Sequence, residues 1–259
     1  MKHIIELDIQ AQPDDQTCGP SCLYSLYRHF GDTELSLKQV IDQIEKLDHG
    51  GTLLEVLACH ALRRGFGATI YSYHVQLLDP TWFAEDGGVH DADDVVARLK
   101  QQLQVKRGDS RFKLATKTLI DFLELGGDLR MEDLTPTLLS KYIAAGSPIL
   151  TGLSSTYLYG QAREIGADAR PDDVAGEPQG HFVMVVGYDP RQREVLIADP
   201  LDQNPPYHTS KYRVTVDRLV NAVMLGILTS DANLLVLHPK ETPEKPVSRR
   251  RKPRPAPEA

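Results

Sequence analysis

The residues with the clearest chemical meaning are one cysteine, one histidine and one aspartate that lie far apart in the chain. Cys18 stands at the start of a helical pattern, His181 opens an apolar strand, and Asp199 closes the following strand. A thiol becomes an effective nucleophile when an imidazole accepts its proton and a carboxylate holds that imidazole in place. A helix N-terminus also favours the thiolate. The three residues therefore predict acyl transfer through a cysteine thiolate.

Gln12 is the candidate for stabilising the charge that forms during this reaction. Attack on an amide carbonyl places negative charge on its oxygen, and a side-chain amide together with the Cys18 N–H can hold that charge. Gln10 and Gln16 are nearby alternatives, but the spacing of six residues before Cys18 favours Gln12. The predicted mechanism requires neither a metal nor an organic cofactor.

The hydrophobic periodicity predicts an α+β architecture, with helices first and strands later. Helices are expected over 18–30, 36–47, 52–64, 92–106, 111–124 and 135–145, and strands over 3–10, 68–73, 148–153, 181–188 and 194–199, with one or two more between 211 and 238. The turn Asp189–Arg193 is short enough to join 181–188 and 194–199 in a hairpin. His181 and Asp199 would then lie side by side.

The segment 154–180 is predicted to be a long loop, and such loops are often functional in compact domains. Tyr157, Tyr159 and Glu164 lie in this loop. They either shape a substrate cleft or belong to an ordered cover over the strand edge, and the residues alone favour neither reading.

We predict one domain over residues 1–239 and a disordered, basic, proline-rich tail over 240–259. Residues 79–131 are more polar and are predicted to form a helical insertion packed on the helical half. In the tail, the basic cluster Arg249–Lys252 is expected to be solvated or to make weak contacts with anionic partners such as nucleic acid.

The charge balance and the cysteine count restrict the class of protein. The net charge is −7 although the tail is basic, so the rest is too acidic for a general nucleic-acid-binding body. Three cysteines cannot all pair, which favours free thiols in a reducing compartment. The N-terminus is too charged for a signal peptide, and no apolar run approaches the ~20 residues of a membrane helix. We therefore expect a cytoplasmic protein with no membrane partner.

The remaining cysteines and histidines are not expected to carry chemistry. Cys22 lies one turn after Cys18 and should face the core. Cys59 and His60 are adjacent on a predicted helix and so point apart, which argues against a metal site. Four histidines without partners in sequence are expected to be exposed or hydrogen-bonded, namely His49, His74, His90 and His208.

Four motifs taken together resemble the bacteriocin-processing cysteine peptidases, which are family thirty-nine of the cysteine peptidases within the papain-like group. They are Gln-x5-Cys-Gly-Pro-x-Cys-Leu from Gln12, Gly-x-Pro-Ile-Leu at 146–150, Gly-His-Phe-Val-x-Val-Val-Gly-Tyr-Asp at 180–189, and Ile-Ala-Asp-Pro at 197–200. The resemblance spans roughly residues 8–30 and 137–202. It implies a papain-like α+β fold whose helical half carries the nucleophile and whose antiparallel sheet carries His and Asp.

By this resemblance Cys18 would be the nucleophile, His181 the base, Asp199 the orienting acid and Gln12 the oxyanion donor. The best-known members cut a leader peptide after a double glycine and are fused to an ATP-driven exporter. The exporter-linked forms usually carry Asp where this chain has Thr17, and this chain lacks the Gly-x4-Gly-Lys-Ser/Thr motif. The resemblance therefore points to a standalone peptidase or amidohydrolase acting on a peptide or protein, with a small residue such as Gly on the acyl side.

Two other functions remain open at this point. The same thioester could react with an amine, which would make the protein a peptidyl or aminoacyl transferase. Alternatively, the chain could be a non-catalytic peptide-binding module on a degenerate protease fold.

Overall fold

The computed structural model describes residues 3–47, 50–166 and 168–239. The helices are α1 Cys18–His29, α2 Leu37–Gln43, α3 Leu54–Arg63, α4 Ala92–Val105, α5 Ser110–Glu124, α6 Pro136–Ala144, α7 Ser155–Tyr159 and α8 Val216–Leu225. The strands are β1 His3–Ile4, β2 Gly67–Ser72, β3 Asp128–Arg130, β4 Ile149–Ser154, β5 Glu164–Ile165, β6 Arg170–Pro171, β7 Gly180–Asp189, β8 Glu194–Ala198, β9 Lys211–Thr215 and β10 Asn233–His238. The predicted tail over 240–259 and His49 lie outside the described residues.

Most strands join one sheet in the order β3-β2-β10-β4-β7-β8-β9, and β1 pairs with β7 off this path. Neighbouring strands are antiparallel except for β2 and β3, which are parallel. Helix α1 packs on β7, α3 on β2 and β10, and α8 on β4 and β9. The predicted α+β architecture is confirmed: the helix that begins with Cys18 precedes an antiparallel sheet that carries His181. Among the described residues, we find no helix with the length and apolarity needed to cross a bilayer.

The predicted hairpin between the strands near 181–188 and 194–199 is confirmed as β7 and β8. Met184 pairs with Ala198 and Val185 with Ile197, and the register shifts between Val185 and Gly187. Strand β7 also pairs with β4 on its other side. His181 therefore lies on a central strand that is held on both sides.

Helix α1 begins in a tightly packed position against β7 and α3. A Cβ atom on Gly19 would lie 3.0 Å from Thr52 Cγ2, 3.1 Å from Phe182 Cδ2 and 3.2 Å from Leu57 Cδ1. The glycine therefore lets the first turn, with Cys18, approach the strand that carries His181. The adjoining Pro20 suits this turn, because the first backbone N–H groups of a helix have no intrahelical partner.

Several predicted elements are shorter than the pattern indicated. The strand expected over 3–10 is limited to His3–Ile4, and the Ile5 N–H adds one hydrogen bond to the Val186 carbonyl of β7. The helix expected over 36–47 has its predicted Ser36 capping box, but it ends at Gln43 because Ile44 is extended.

The prediction of a single long loop over 154–180 is wrong. The segment contains helix α7 and the two-stranded β5–β6 ladder. Ser154 caps α7 by accepting a hydrogen bond from the Tyr157 N–H, and Gly160 ends it in the left-handed conformation. Five residues are too few for hydrophobic periodicity to reveal such a helix.

The two helices predicted within 79–131 are confirmed as α4 and α5. Helix α5 packs on α3 and α4, as expected for a segment resting on the helical half. The same segment also supplies β3, which extends the main sheet beside β2. The boundaries of the domain and of the insertion stay predictions.

Candidate active site

Cys18 is the first residue of α1 and is only 8% exposed. Cys22, one turn later, is fully buried and its Sγ lies 3.5 Å from the Phe182 carbonyl oxygen, to which it donates. Burial raises the pKa of the Cys22 thiol well above its usual value. The prediction that Cys22 faces the core is confirmed. Cys18 therefore supplies the thiol at the N-terminus of the helix.

His181 and Asp199 meet at the predicted place. His181 Nε2 lies 2.8 Å from Asp199 Oδ1, and both side chains are buried. A carboxylate can only accept, so Nε2–H is the donor. Because Nε2 is bonded to Asp199, Nδ1 is the ring nitrogen that can exchange a proton with a thiol.

Cys18 and His181 form an electrostatically coupled pair. Burial lowers the pKa of His181, but the charges of Asp199 and of Cys18, with hydrogen bonds to both side chains, outweigh burial and raise it to about 10. A raised pKa means that the imidazolium is stable near neutral pH beside an anionic partner. The arrangement therefore suits a thiolate–imidazolium pair.

Asp199 is fully buried and accepts four hydrogen bonds. Its Oδ1 accepts from His181 Nε2 at 2.8 Å and from the Leu201 N–H at 2.9 Å. Its Oδ2 accepts from the Tyr159 hydroxyl at 2.7 Å and from the Tyr212 hydroxyl at 2.6 Å. Burial raises the pKa of Asp199, but the His181 charge and these side-chain donors outweigh burial and lower it. The carboxylate thus stays ionised although it is buried.

Gln12 is tied to the same region through its backbone and side chain. Its N–H donates to the Pro200 carbonyl at 2.9 Å, next to Asp199. Its Nε2 donates to the Asp14 carbonyl at 2.9 Å, and its Oε1 is buried without a partner among the described residues. An amide nitrogen has two hydrogens, so one remains to serve a substrate oxygen.

The three residues of the predicted cleft have different environments. Tyr159 is buried and bonded to Asp199, so it belongs to the Cys-His-Asp network. Tyr157 is 36% exposed, with the Arg218 guanidinium 5.2 Å from its ring centroid. Glu164 is partly buried, and burial followed by the charge of Asp15 raises its pKa.

Tyr212 was not predicted from the sequence, and Tyr159 was predicted to lie in either a substrate cleft or an ordered cover, not to bond to Asp199. Tyr212 lies on β9, beyond the hairpin, and nothing in its local pattern marks it. The burial of Asp199 explains why such residues are needed, because a buried carboxylate requires hydrogen-bond donors. Burial alone does not say which residues supply them.

Two buried carboxyl groups on neighbouring elements were also missed. Burial raises the pKa of both Glu55 and Asp231 to about 7, and the charge of Asp231 adds to the shift at Glu55. Asn233 Nδ2 donates to Glu55 Oε1 at 3.3 Å. A side chain at Gly180 would collide with Asp231 Oδ2, so this carboxyl lies against the residue preceding His181.

The other histidines are mostly where they were expected. His60 is hydrogen-bonded to the Tyr27 hydroxyl and to Gln43, and burial lowers its pKa to about 4. Cys59 Sγ instead contacts the Thr118 carbonyl, so the adjacent pair does point apart. His90 and His208 are exposed.

The expectation is wrong for His74. This side chain is buried, and its Nδ1 has no hydrogen-bond partner among the described residues. Burial lowers its pKa, which favours the neutral ring.

In the part of the chain that the structure describes, no group of three or more His, Cys, Asp or Glu residues is arranged to hold a metal ion.

The Cys18 thiol lies at the start of a helix, next to a histidine on the sheet that an aspartate orients. This arrangement is typical of a cysteine peptidase-like site. The family model described as "Peptidase_C39 like family" matches residues 131–219, which include His181 and Asp199. The resemblance inferred from the motifs to cysteine peptidases is thus confirmed over that part of the chain, which does not include Cys18 or Gln12.

Two of the solved structures that the chain is similar to are proteases. One is a double glycine motif protease from an AMS/PCAT transporter in complex with the leader peptide, at 11% identity and a TM-score of 0.42, covering 92% of this chain and 94% of that chain. The other is xylellain, a cysteine protease from Xylella fastidiosa, at 14% identity and a TM-score of 0.41, covering 92% and 85%. Both similarities are distant. No curated protein matches the chain.

Proposed function

We propose that the protein cleaves a peptide or amide bond through a thioester on Cys18. The observation that carries this proposal is the coupled arrangement of the Cys18 thiol, the His181 imidazole and the buried Asp199 carboxylate. The three groups would act as nucleophile, base and orienting acid, and the secondary structure fixes the position of each. Cys18 begins a helix, His181 lies on a central strand, and Asp199 follows β8.

The reaction follows from these positions. His181 Nδ1 takes the thiol proton, and the Cys18 thiolate attacks the carbonyl carbon. The Cys18 N–H and Gln12 Nε2 hold the oxyanion of the tetrahedral intermediate. When the C–N bond breaks, the imidazolium donates its proton to the leaving amine. His181 then removes a proton from water, which attacks the thioester, releases the acid and restores the thiol.

The substrate class is a peptide or protein. We propose a small residue such as Gly on the acyl side, on the basis of the family resemblance alone. The intracellular location proposed from the three cysteines is compatible with this chemistry, because a nucleophilic thiol must stay reduced.

The test is iodoacetamide labelling of Cys18 as a function of pH, read by mass spectrometry of the peptide that contains it. At about pH 6 the wild type is expected to be labelled at Cys18, and H181A should slow this labelling strongly, because the imidazolium stabilises the thiolate. H90A is the matched control, because His90 is exposed and far along the chain from the site. A labelling rate that H181A does not change would overturn the proposal and leave the binding-module reading.

Product analysis separates a hydrolase from a transferase. A peptide library is incubated with wild-type protein and with C18A, with and without added amines, and new termini are identified by mass spectrometry. Free carboxyl termini formed only by the wild type support hydrolysis. Amine adducts that dominate at low amine concentration would instead assign transferase activity.

A further inference from the structure

Asp199 accepts more hydrogen bonds than are needed to orient a histidine. His181 uses only Oδ1, whereas Oδ2 accepts from the hydroxyls of both Tyr159 and Tyr212, at 2.7 and 2.6 Å. Asp199 itself is 0% exposed. Both oxygens are therefore held by protein donors, and the carboxylate cannot rotate without breaking several bonds.

Tyr212 is itself held in a fixed orientation. It lies on β9, which pairs with β8 in the register Ile197–Tyr212. Its ring stacks on Tyr207, with centroids 3.8 Å apart and planes 7° from parallel. The direction of its hydroxyl is therefore set by the sheet and by the stacked ring.

Tyr159 is held by a different set of contacts. It ends α7, whose last carbonyls accept hydrogen bonds from Arg218 of α8. The Arg218 Nε donates to the Leu158 carbonyl at 2.9 Å, and its Nη2 donates to the Tyr157 carbonyl at 2.8 Å. A cation at a helix C-terminus is favourable, so this contact stabilises the short helix that presents Tyr159.

We propose that Tyr159 and Tyr212 are positioning residues that hold the Asp199 carboxylate in the orientation His181 requires. The proposal rests on the proposed function, since orienting His181 matters only if His181 acts on Cys18. The two tyrosines act through Asp199 and touch no reacting atom. Outer partners of this kind fix the geometry of the groups that do the chemistry.

The electrostatics around Asp199 agree with this role. The side chains that act on its carboxyl come from three elements: His181 from β7, Tyr212 from β9 and Tyr159 from α7. The Cys18 and Cys22 thiols face the same region from α1. His181, the two hydroxyls and the Leu201 N–H stabilise the buried carboxylate, so removing a hydroxyl leaves a buried charge with an empty acceptor position.

The test measures the pKa of the Asp199 carboxyl by ¹³C NMR in wild type, Y159F and Y212F, with D199N to assign the signal. Each substitution removes one hydroxyl and keeps the ring. We expect the Asp199 pKa to rise by about one pH unit in each variant, since a charged hydrogen bond exceeds the energy of one unit. Y71F is the control, because Tyr71 is also buried and its hydroxyl bonds to that of Tyr142 at 2.7 Å. Y71F should leave Asp199 unchanged.

A second measurement, made on the wild type and D199N, applies if Y159F or Y212F fails to fold. In the wild type, the hydroxyl protons of Tyr159 and Tyr212 should exchange slowly and give NMR signals that change in D199N. An Asp199 pKa unchanged in folded Y159F and Y212F, or hydroxyl protons insensitive to D199N, would overturn the inference alone. Failure of the proposed function is distinguishable, because it would show as ordinary Cys18 reactivity in the wild type whatever the behaviour of Asp199.

Discussion

Asp199 contacts His181 diagonally across the β7–β8 hairpin. Met184 pairs with Ala198 at the end of β8, and extending this register by one residue puts Asp199 opposite Val183, which is two residues from His181. Diagonal neighbours on one face of a sheet are within reach of long side chains, and here the two groups meet at 2.8 Å. A register slip of one residue would move Asp199 to the other face, so the hairpin register sets the geometry of the site.

Replacing Asp199 by Asn should lower the pKa of His181. Burial already lowers that pKa, and the Asp199 charge is the largest effect that opposes burial. We expect D199N to lower the His181 pKa by about one to three units, as loss of an adjacent opposite charge does. Histidine NMR titration gives the value, and Cys18 labelling near neutral pH should slow at the same time. A His181 pKa equal to that of the wild type would show that Asp199 does not act on the imidazole.

Gly19→Ala should destabilise the fold and disturb Cys18. The added Cβ would lie 3.0 to 3.2 Å from Thr52, Phe182 and Leu57. Overpacking of this kind costs about 1–3 kcal/mol in the free energy of unfolding, which urea denaturation measures. Gly88→Ala is the matched control, because its Cβ would have ordinary contacts of 3.4 and 3.6 Å. Equal stability of the two variants would contradict the close approach of α1 to β7.

Gln12→Ala should slow turnover of a peptide substrate without altering the labelling of Cys18. Alkylation by iodoacetamide forms no oxyanion, whereas amide cleavage does. Loss of one oxyanion donor costs on the order of 10²–10³ in kcat. Gln16→Ala provides the control, because Gln16 is an exposed neighbour and a rival candidate for the same role. A larger loss in Q16A than in Q12A would assign the donor to Gln16.

Glu55→Gln should remove part of the pH dependence of stability. The folded-state pKa of Glu55 is raised to about 7, above its unfolded value, so its contribution is complete below about pH 4 and is lost as pH rises through 7. The wild type should lose on the order of 3 kcal/mol of stability over this range through Glu55, and E55Q should not. Urea denaturation at several pH values measures the difference.

The exposed Glu85 supplies the control for this prediction, and E85Q should follow the wild type. A wild-type curve that matches E55Q from pH 4 to 8 would show that Glu55 ionises normally. Asp231 should behave in the same way as Glu55, because burial raises its pKa to the same range.

The parts of the site that could be predicted were those encoded by local patterns. Cys18 begins a periodic helix, and a short turn joins the strands that carry His181 and precede Asp199, so neighbouring residues specify both elements. Tyr212 could not be predicted, because its bond to Asp199 depends on how β9 pairs with β8. The place of Tyr159 was left undecided between a substrate cleft and an ordered cover, since the five-residue helix that turns it inward has no periodic signal.

The sheet order was likewise beyond local reasoning. Strand β10 is last in the chain but lies between β2 and β4, where Leu235 pairs with both Ile70 and Leu150. Such long-range pairing follows from how whole faces are buried, and each strand alone shows only that it is apolar. Helix α8 was missed as well, although its buried residues Val216, Leu219 and Val223 have helical spacing.

The thiolate content of residue 18 tests the proposed Cys18–His181 pair most directly, and it is measured as the difference in ultraviolet absorbance between wild type and C18S. At about pH 6 we expect a thiolate signal in the wild type that H181A abolishes, because the imidazolium stabilises the thiolate. Equal absorbance differences in wild type and H181A at this pH would show that His181 does not stabilise a thiolate at Cys18.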